Sequence, residues 1–149
     1  MFLDWPLGGR CSVPGMEDIM FDSQDVLPPD ARTILVVEDD RPTGEVIQLT
    51  LTEELSLHTL LIADPYEALD FANTVKVDLW IIDYLLPGMN GLELYDRLHA
   101  RKALQDVPSI LISASFSLHS RDLGERKLTV LDKPFDLNVL LETVKQIVN

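Results

Sequence analysis

The chain of 149 residues sets 25 Asp and Glu against 12 Lys and Arg, a formal charge of −13, which argues against a nucleic-acid reader because phosphate recognition rests on clustered cations. A hydrophobic fraction of 46% excludes disorder throughout and supports one globular domain with its own core. Cys11 is the single cysteine, so neither an intrachain disulfide framework nor a thiolate zinc cluster is available, and a reducing cytoplasm is the expected setting.

Residues 1–30 differ in kind from the rest. They hold Gly8, Gly9, Pro14, Gly15, Pro28 and Pro29, and no hydrophobic period lasts two turns. One basic residue, Arg10, stands there against six acidic ones, leaving −5 in this stretch and −8 in residues 31–149. A solvated, flexible N-terminal extension is one reading. The other uses Phe2, Trp5, Ile19, Met20 and Phe21 as apolar anchors on the domain or a partner, and the sequence leaves both open. Residues 1–6 lack the basic and long apolar regions of a secretory signal, and no apolar run approaches the roughly 20 residues that span a bilayer.

From Ala31 onward, short apolar runs alternate with helical patterns. Thr33 to Val37 (TILVV) has no polar alternation and predicts a buried central strand. Pro42 suits a first helical turn, and Val46, Ile47, Leu49, Leu51 and Leu55 form a stripe that stops near Ser56. A second strand, His58 to Ile62, precedes a short helix from Pro65 to Asn73; a third, Leu79 to Ile82, runs into Asp83. After a turn at Pro87, Gly88 and Gly91 comes a helix bearing Leu92, Leu94, Tyr95 and Leu98. Then follow strand Ser109 to Ile112, a weakly patterned segment, strand Leu128 to Leu131 and a closing helix from about Asp136. Five uniformly apolar strands separated by helical segments predict an α/β fold, a doubly wound five-stranded parallel sheet in a flavodoxin-like three-layer sandwich.

In such sheets ligands bind beyond the carboxyl ends of the strands. The polar residues that follow the apolar runs are Glu38, Asp39 and Asp40 after the first, Asp83 after the third, Ser113 after the fourth and Lys133 with Pro134 after the fifth. Carboxylates gathered in one crevice repel unless a cation intervenes. Oxygen donors without nearby histidine or cysteine point to Mg²⁺. Lys133 adds a point charge and Ser113 a hydroxyl, so the set suits phosphoryl chemistry on a carboxylate. Taken singly these residues have plainer roles: Asp39 or Asp40 as a helix cap, Asp83 as a turn starter, Ser113 as a strand end, Lys133 as a surface charge. His58, His99 and His119 fall at unrelated places and read as surface or strand-end residues, and Trp80 reads as core.

The acidic triplet after ILVV, the stretch IIDYLLPGMNGLEL around Asp83, ILISAS around Ser113 and LDKPF around Lys133 together resemble the receiver domain of two-component response regulators, over residues 31–149. The resemblance implies that Asp83 is the phosphoacceptor, charged from a phosphohistidine on a sensor histidine kinase or histidine phosphotransfer protein, and that a downstream effector protein reads the result. It implies that Asp39 binds Mg²⁺ directly, that Glu38 acts through a water and that the Leu85 carbonyl is a further ligand. Ser113 would turn to the phosphoryl group, and Lys133–Pro134 would be a cis bond.

The likeness thins in places. Val130 stands where many receivers carry a switching aromatic, and residues 115–127 lack the usual glycine-alanine-acidic run, so a short or irregular helix is expected there. Apolar Leu85, two residues beyond Asp83, is expected to help exclude hydrolytic water. No output domain follows, so the expectation is a stand-alone receiver, a relay carrier or a fragment of a longer regulator. A pseudo-receiver that binds partners without phosphorylation is the alternative. A phosphohydrolase would need an acid-base aspartate at Leu85, and a flavodoxin-like cofactor binder would need a Ser/Thr/Gly phosphate loop after the first strand.

Overall fold

The structure, a computed structural model, describes residues 31–114, 123, 124, 126 and 128–148. The N-terminal extension, His119 and most of the segment expected to be irregular lie outside these described residues. The elements are β1 (Thr33–Val37), α1 (Arg41–Leu55), β2 (His58–Ile62), α2 (Pro65–Phe71), β3 (Leu79–Asp83), α3 (Gly91–His99), a 3₁₀ turn (Lys102–Leu104), β4 (Ser109–Ala114), β5 (Thr129–Lys133) and α4 (Leu137–Val148).

All five strands are parallel in the order β2-β1-β3-β4-β5, which is the expected doubly wound sheet. Their side chains alternate between two cores rather than between core and water. Ile34, Val36, Leu79, Ile81, Ile110 and Leu131 join Ile47 and Leu51 of α1 and Leu140 and Val144 of α4. Leu35, Val37, Trp80, Ile82 and Leu111 join Ala68 and Leu69 of α2 and Leu92, Leu94 and Leu98 of α3. Trp80 is wholly buried, a core residue as expected. No helix among the described residues is long and apolar enough to cross a membrane.

Side-chain caps fix where the helices begin, next to the carboxyl ends of the strands. The Asp40 carboxylate accepts from the Thr43 amide at 3.2 Å and from the Thr43 hydroxyl, and Asp64 accepts from the Tyr66 amide at 2.9 Å. At α3, Asn90 and Glu93 form a reciprocal capping box. α1 stops where Ser56 turns left-handed at φ 55°.

Three boundaries differ from the sequence reading. β4 continues through Ser113 to Ala114, and β5 runs Thr129–Lys133 rather than Leu128–Leu131. The ladder extends into polar residues through the pairs Ser113–Asp132 and Ala114–Lys133, which an apolar pattern does not mark. α2 ends at Phe71 rather than Asn73, because the Asn73 and Thr74 amides reach back only three residues, to Asp70 and Phe71.

Candidate functional site

Strand alternation assembles the site. Glu38 follows Ile34 and Val36, Asp83 follows Leu79 and Ile81, and Lys133 follows Leu131, so all three emerge on the side of the sheet that α1 and α4 cover. The switch in strand order puts β1 beside β3, which sets the acidic ends of the two strands next to each other. Carboxylate oxygens of Glu38, Asp39 and Asp83 lie within 4.8 Å of one another, with Glu38 and Asp83 buried and Asp39 exposed. The Lys133 ammonium reaches in from β5 to 2.8 Å from Asp83 Oδ1 and 3.9 Å from Glu38 Oε1.

The charges are not balanced within this group, since one ammonium faces three carboxylates. Burial pushes the Glu38 carboxyl up to about 7, against the pull of its bond to the Asp40 amide, and the adjacent Asp83 carboxylate pushes the same way. Its Oε2 accepts from the Asp40 amide at 3.1 Å, while Oε1 is buried without a hydrogen-bond partner. Lys133 loses solvation on burial, yet its bond to Asp83 and the field of Glu38 and Asp39 outweigh that and raise its affinity for the proton. A buried carboxylate oxygen without a hydrogen bond, beside two further carboxylates, suits a hard cation, and oxygen donors alone favour Mg²⁺ or Ca²⁺ over softer metals.

The other expected residues are less closely drawn in. Asp40 is exposed and serves as the α1 cap. Ser113 is buried at the same sheet edge, but alternation sends it to the side of Leu111, and its hydroxyl donates to the Ala114 carbonyl at 2.9 Å. Leu85 is 66% exposed at the start of the β3–α3 loop. That loop is pinned at both ends: the Tyr84 amide donates to Ile112 at 2.8 Å and the Gly91 amide to Tyr84 at 2.7 Å. The Lys133–Pro134 bond is cis, as the resemblance implied.

Of the histidines, His58 is exposed at the start of β2. His99 departs from the surface reading: it ends α3 half-buried, its ring nitrogens 2.9 and 2.8 Å from the carbonyls of Tyr95 and Val107, and stacked on Tyr95. Tyr66, which the sequence reading passed over, reaches from α2 to the β3–α3 loop, where its hydroxyl lies 3.3 Å from the Gly88 carbonyl.

Comparison with known proteins agrees with this geometry. The family model for the response regulator receiver domain matches residues 34–145, and the chain belongs to that family. It is 32% identical over 118 residues to the response regulator ArlR of Staphylococcus aureus, a match covering 76% of this chain and 51% of ArlR. The chain thus spans about half the length of such curated relatives. Among solved structures, the receiver domain of a sensor histidine kinase from Pseudomonas aeruginosa, with a magnesium ion coordinated in its active-site cleft, is 25% identical. That match has a TM-score of 0.68 and covers 78% of this chain and 97% of that one. The chemotaxis response regulator CheY4 of Vibrio cholerae shares the fold with a TM-score of 0.72 at 23% identity, over 79% of this chain and 99% of that one. The chain is therefore a receiver domain of the two-component signalling type, and its architecture fits a phosphoacceptor.

Proposed function

We propose that Asp83 accepts a phosphoryl group from a phosphohistidine on a sensor histidine kinase or histidine phosphotransfer protein. The observation that carries this reading is the convergence of Glu38, Asp39 and Asp83 within 4.8 Å, with the Lys133 ammonium 2.8 Å from Asp83. An Asp83 carboxylate oxygen attacks phosphorus in line, the P–N bond breaks, and its electron pair leaves with the imidazole. Lys133 moves its charge from Asp83 onto the transferring phosphoryl oxygens. Asp39 and Asp83, the Leu85 carbonyl and, through a water, Glu38 would hold Mg²⁺, which supplies Lewis-acid charge neutralisation when bound. Ser113 turns its hydroxyl from the Ala114 carbonyl toward the phosphoryl group, which couples the end of β4 to phosphorylation.

The domain is a signalling phosphoacceptor that catalyses its own phosphorylation and slow dephosphorylation, with residues 31–149 as the receiver unit and residues 1–30 as an extension. Its output is contact with a downstream effector protein, not nucleic acid, in keeping with a charge of −13. A cytoplasmic setting is in keeping with a phosphohistidine donor charged from ATP. Nothing observed favours the pseudo-receiver alternative, since both the acidic group and its lysine are intact.

Incubation with Mg²⁺ and acetyl phosphate, read by intact mass, tests the assignment. Wild type is expected to gain one phosphoryl mass and Asp83→Asn none. An adduct that persists in Asp83→Asn, or none in wild type, overturns it.

A further inference from the structure

The β3–α3 loop, residues 84–90, leads from Asp83 to the α3 cap and carries the Leu85 carbonyl. Its ends are fixed by backbone bonds to β4 and within the loop itself. At exposed Gly88 the loop meets an aromatic side chain of α2. The Tyr66 hydroxyl lies 3.3 Å from the Gly88 carbonyl, and the ring packs so closely that a Cβ on Gly88, at φ +86°, would stand 3.0 Å from Tyr66 Cε2.

Tyr66 is 48% exposed but is tied at its backbone and flanked by a cation. Its backbone amide is the one that the Asp64 carboxylate caps, and the Arg97 guanidinium of α3 stands 5.9 Å from its ring centroid, within cation–π range. The aromatic ring thus bridges α2, the loop and α3, on the side of the sheet opposite α1 and α4.

We propose that Tyr66 is a positioning residue for the cation site: by bracing Gly88 it holds the loop backbone so that the Leu85 carbonyl is presented in line with the Asp39 and Asp83 carboxylates. This rests on the assignment of Leu85 as a ligand, made above. A ligand carbonyl carried on a loop adds affinity only if the loop is already ordered, because ordering it on binding subtracts from the gain. A 3.3 Å hydroxyl contact is long, so the ring contact carries the larger share of the bracing.

The test measures Mg²⁺ affinity by calorimetry on the full chain for wild type, Tyr66→Phe and Tyr66→Ala, with hydrogen exchange of the 84–90 loop and the melting temperature both taken without metal. The expected result is a graded loss of affinity, up to about threefold in Tyr66→Phe and roughly three- to tenfold in Tyr66→Ala. Loop exchange should quicken in the same order, melting temperature should change little, and phosphorylation from acetyl phosphate should recover at saturating Mg²⁺. Unchanged affinity and loop exchange in Tyr66→Ala, with wild type binding Mg²⁺ and taking the phosphoryl group, overturns the role of Tyr66 and leaves the phosphoacceptor assignment standing. Failure of wild type to bind Mg²⁺ or be phosphorylated overturns both.

Discussion

Glu38 shows how a single residue can be stabilised in the wrong protonation state for its task. An unfolded glutamate ionises near 4.5, whereas burial in the crevice holds the folded carboxyl up to about 7. Below 4.5 both states carry the proton. Between 4.5 and 7 the unfolded chain gives it up and the folded chain retains it, so native stability falls as pH rises through this window. The loss, complete above about 7, is on the order of 3 kcal/mol for this group. Glu38→Gln cannot ionise, so without metal it should match wild type near pH 4.5 and be the more stable protein at pH 8. Urea melts of both across pH 4.5–8 check this. Mg²⁺ should reverse the order at pH 8, because a cation favours the ionised carboxylate that Gln lacks. A stability difference that stays flat with pH sinks the account. The resemblance set Glu38 apart from Asp39, and Asp40 was read as a possible helix cap, but the burial that raises Glu38 was not legible among three consecutive acids. What separates them is which neighbour each meets: Asp40 turns to the Thr43 amide, and Glu38 turns into the crevice.

Among the elements, β3 and α3 meet at backbone level. Gly91, the first residue of α3, sits where an added Cβ would meet the Asp83 carbonyl oxygen at 2.6 Å and Leu111 at 2.8 Å. The obstacle at Asp83 is backbone, which cannot move without moving the strand end. Gly44 of α1 is also crowded, at 2.5 Å from Leu61 Cδ1, but that is the tip of a side chain in a half-buried strand position. Gly91→Ala should therefore destabilise by about 2 kcal/mol or more and slow phosphorylation of Asp83. Gly44→Ala should be near neutral, since the gain in helix propensity, about 1 kcal/mol, offsets the displacement of Leu61. Chemical denaturation and acetyl phosphate kinetics on the two variants decide it, and equal costs would contradict the distinction between backbone and side-chain obstacles. Glycine at position 91 could be read in the sequence as part of a turn. That it is the point where α3 touches β3 could not, because the contact joins elements through space. The same limit explains the strand ends. Asp83 and Lys133 stood out because each ends or follows an apolar run, whereas the extension of β4 through Ser113 and Ala114 depends on pairing with β5.

For the molecule as a whole, a charge of −13 acts at two ranges that can be separated by experiment. Among the described residues most acidic side chains are exposed, and their mutual repulsion is screened within about 10 Å at 0.1 M salt. The carboxylates of Glu38, Asp39 and Asp83 lie within 4.8 Å of one another and two of them are buried, so monovalent ions reach them poorly. The sequence made both the acidity and the convergence visible, because parallel strands with acidic ends must bring those ends to one edge. It did not reveal that Lys133 offsets only part of the cluster while leaving Glu38 Oε1 without a hydrogen bond. Mg²⁺ should therefore raise the melting temperature well beyond NaCl of matched ionic strength, by mass action worth about 1.4 kcal/mol at ten times its dissociation constant. Asp39→Asn should abolish most of the Mg²⁺ increment while keeping the NaCl response, because it alters one ligand and only one charge of many. Thermal melts of both proteins in each salt measure the two contributions separately. An equal rise in the two salts would mean that the cluster acts only as diffuse charge, and an undiminished Mg²⁺ increment in Asp39→Asn would place the cation elsewhere.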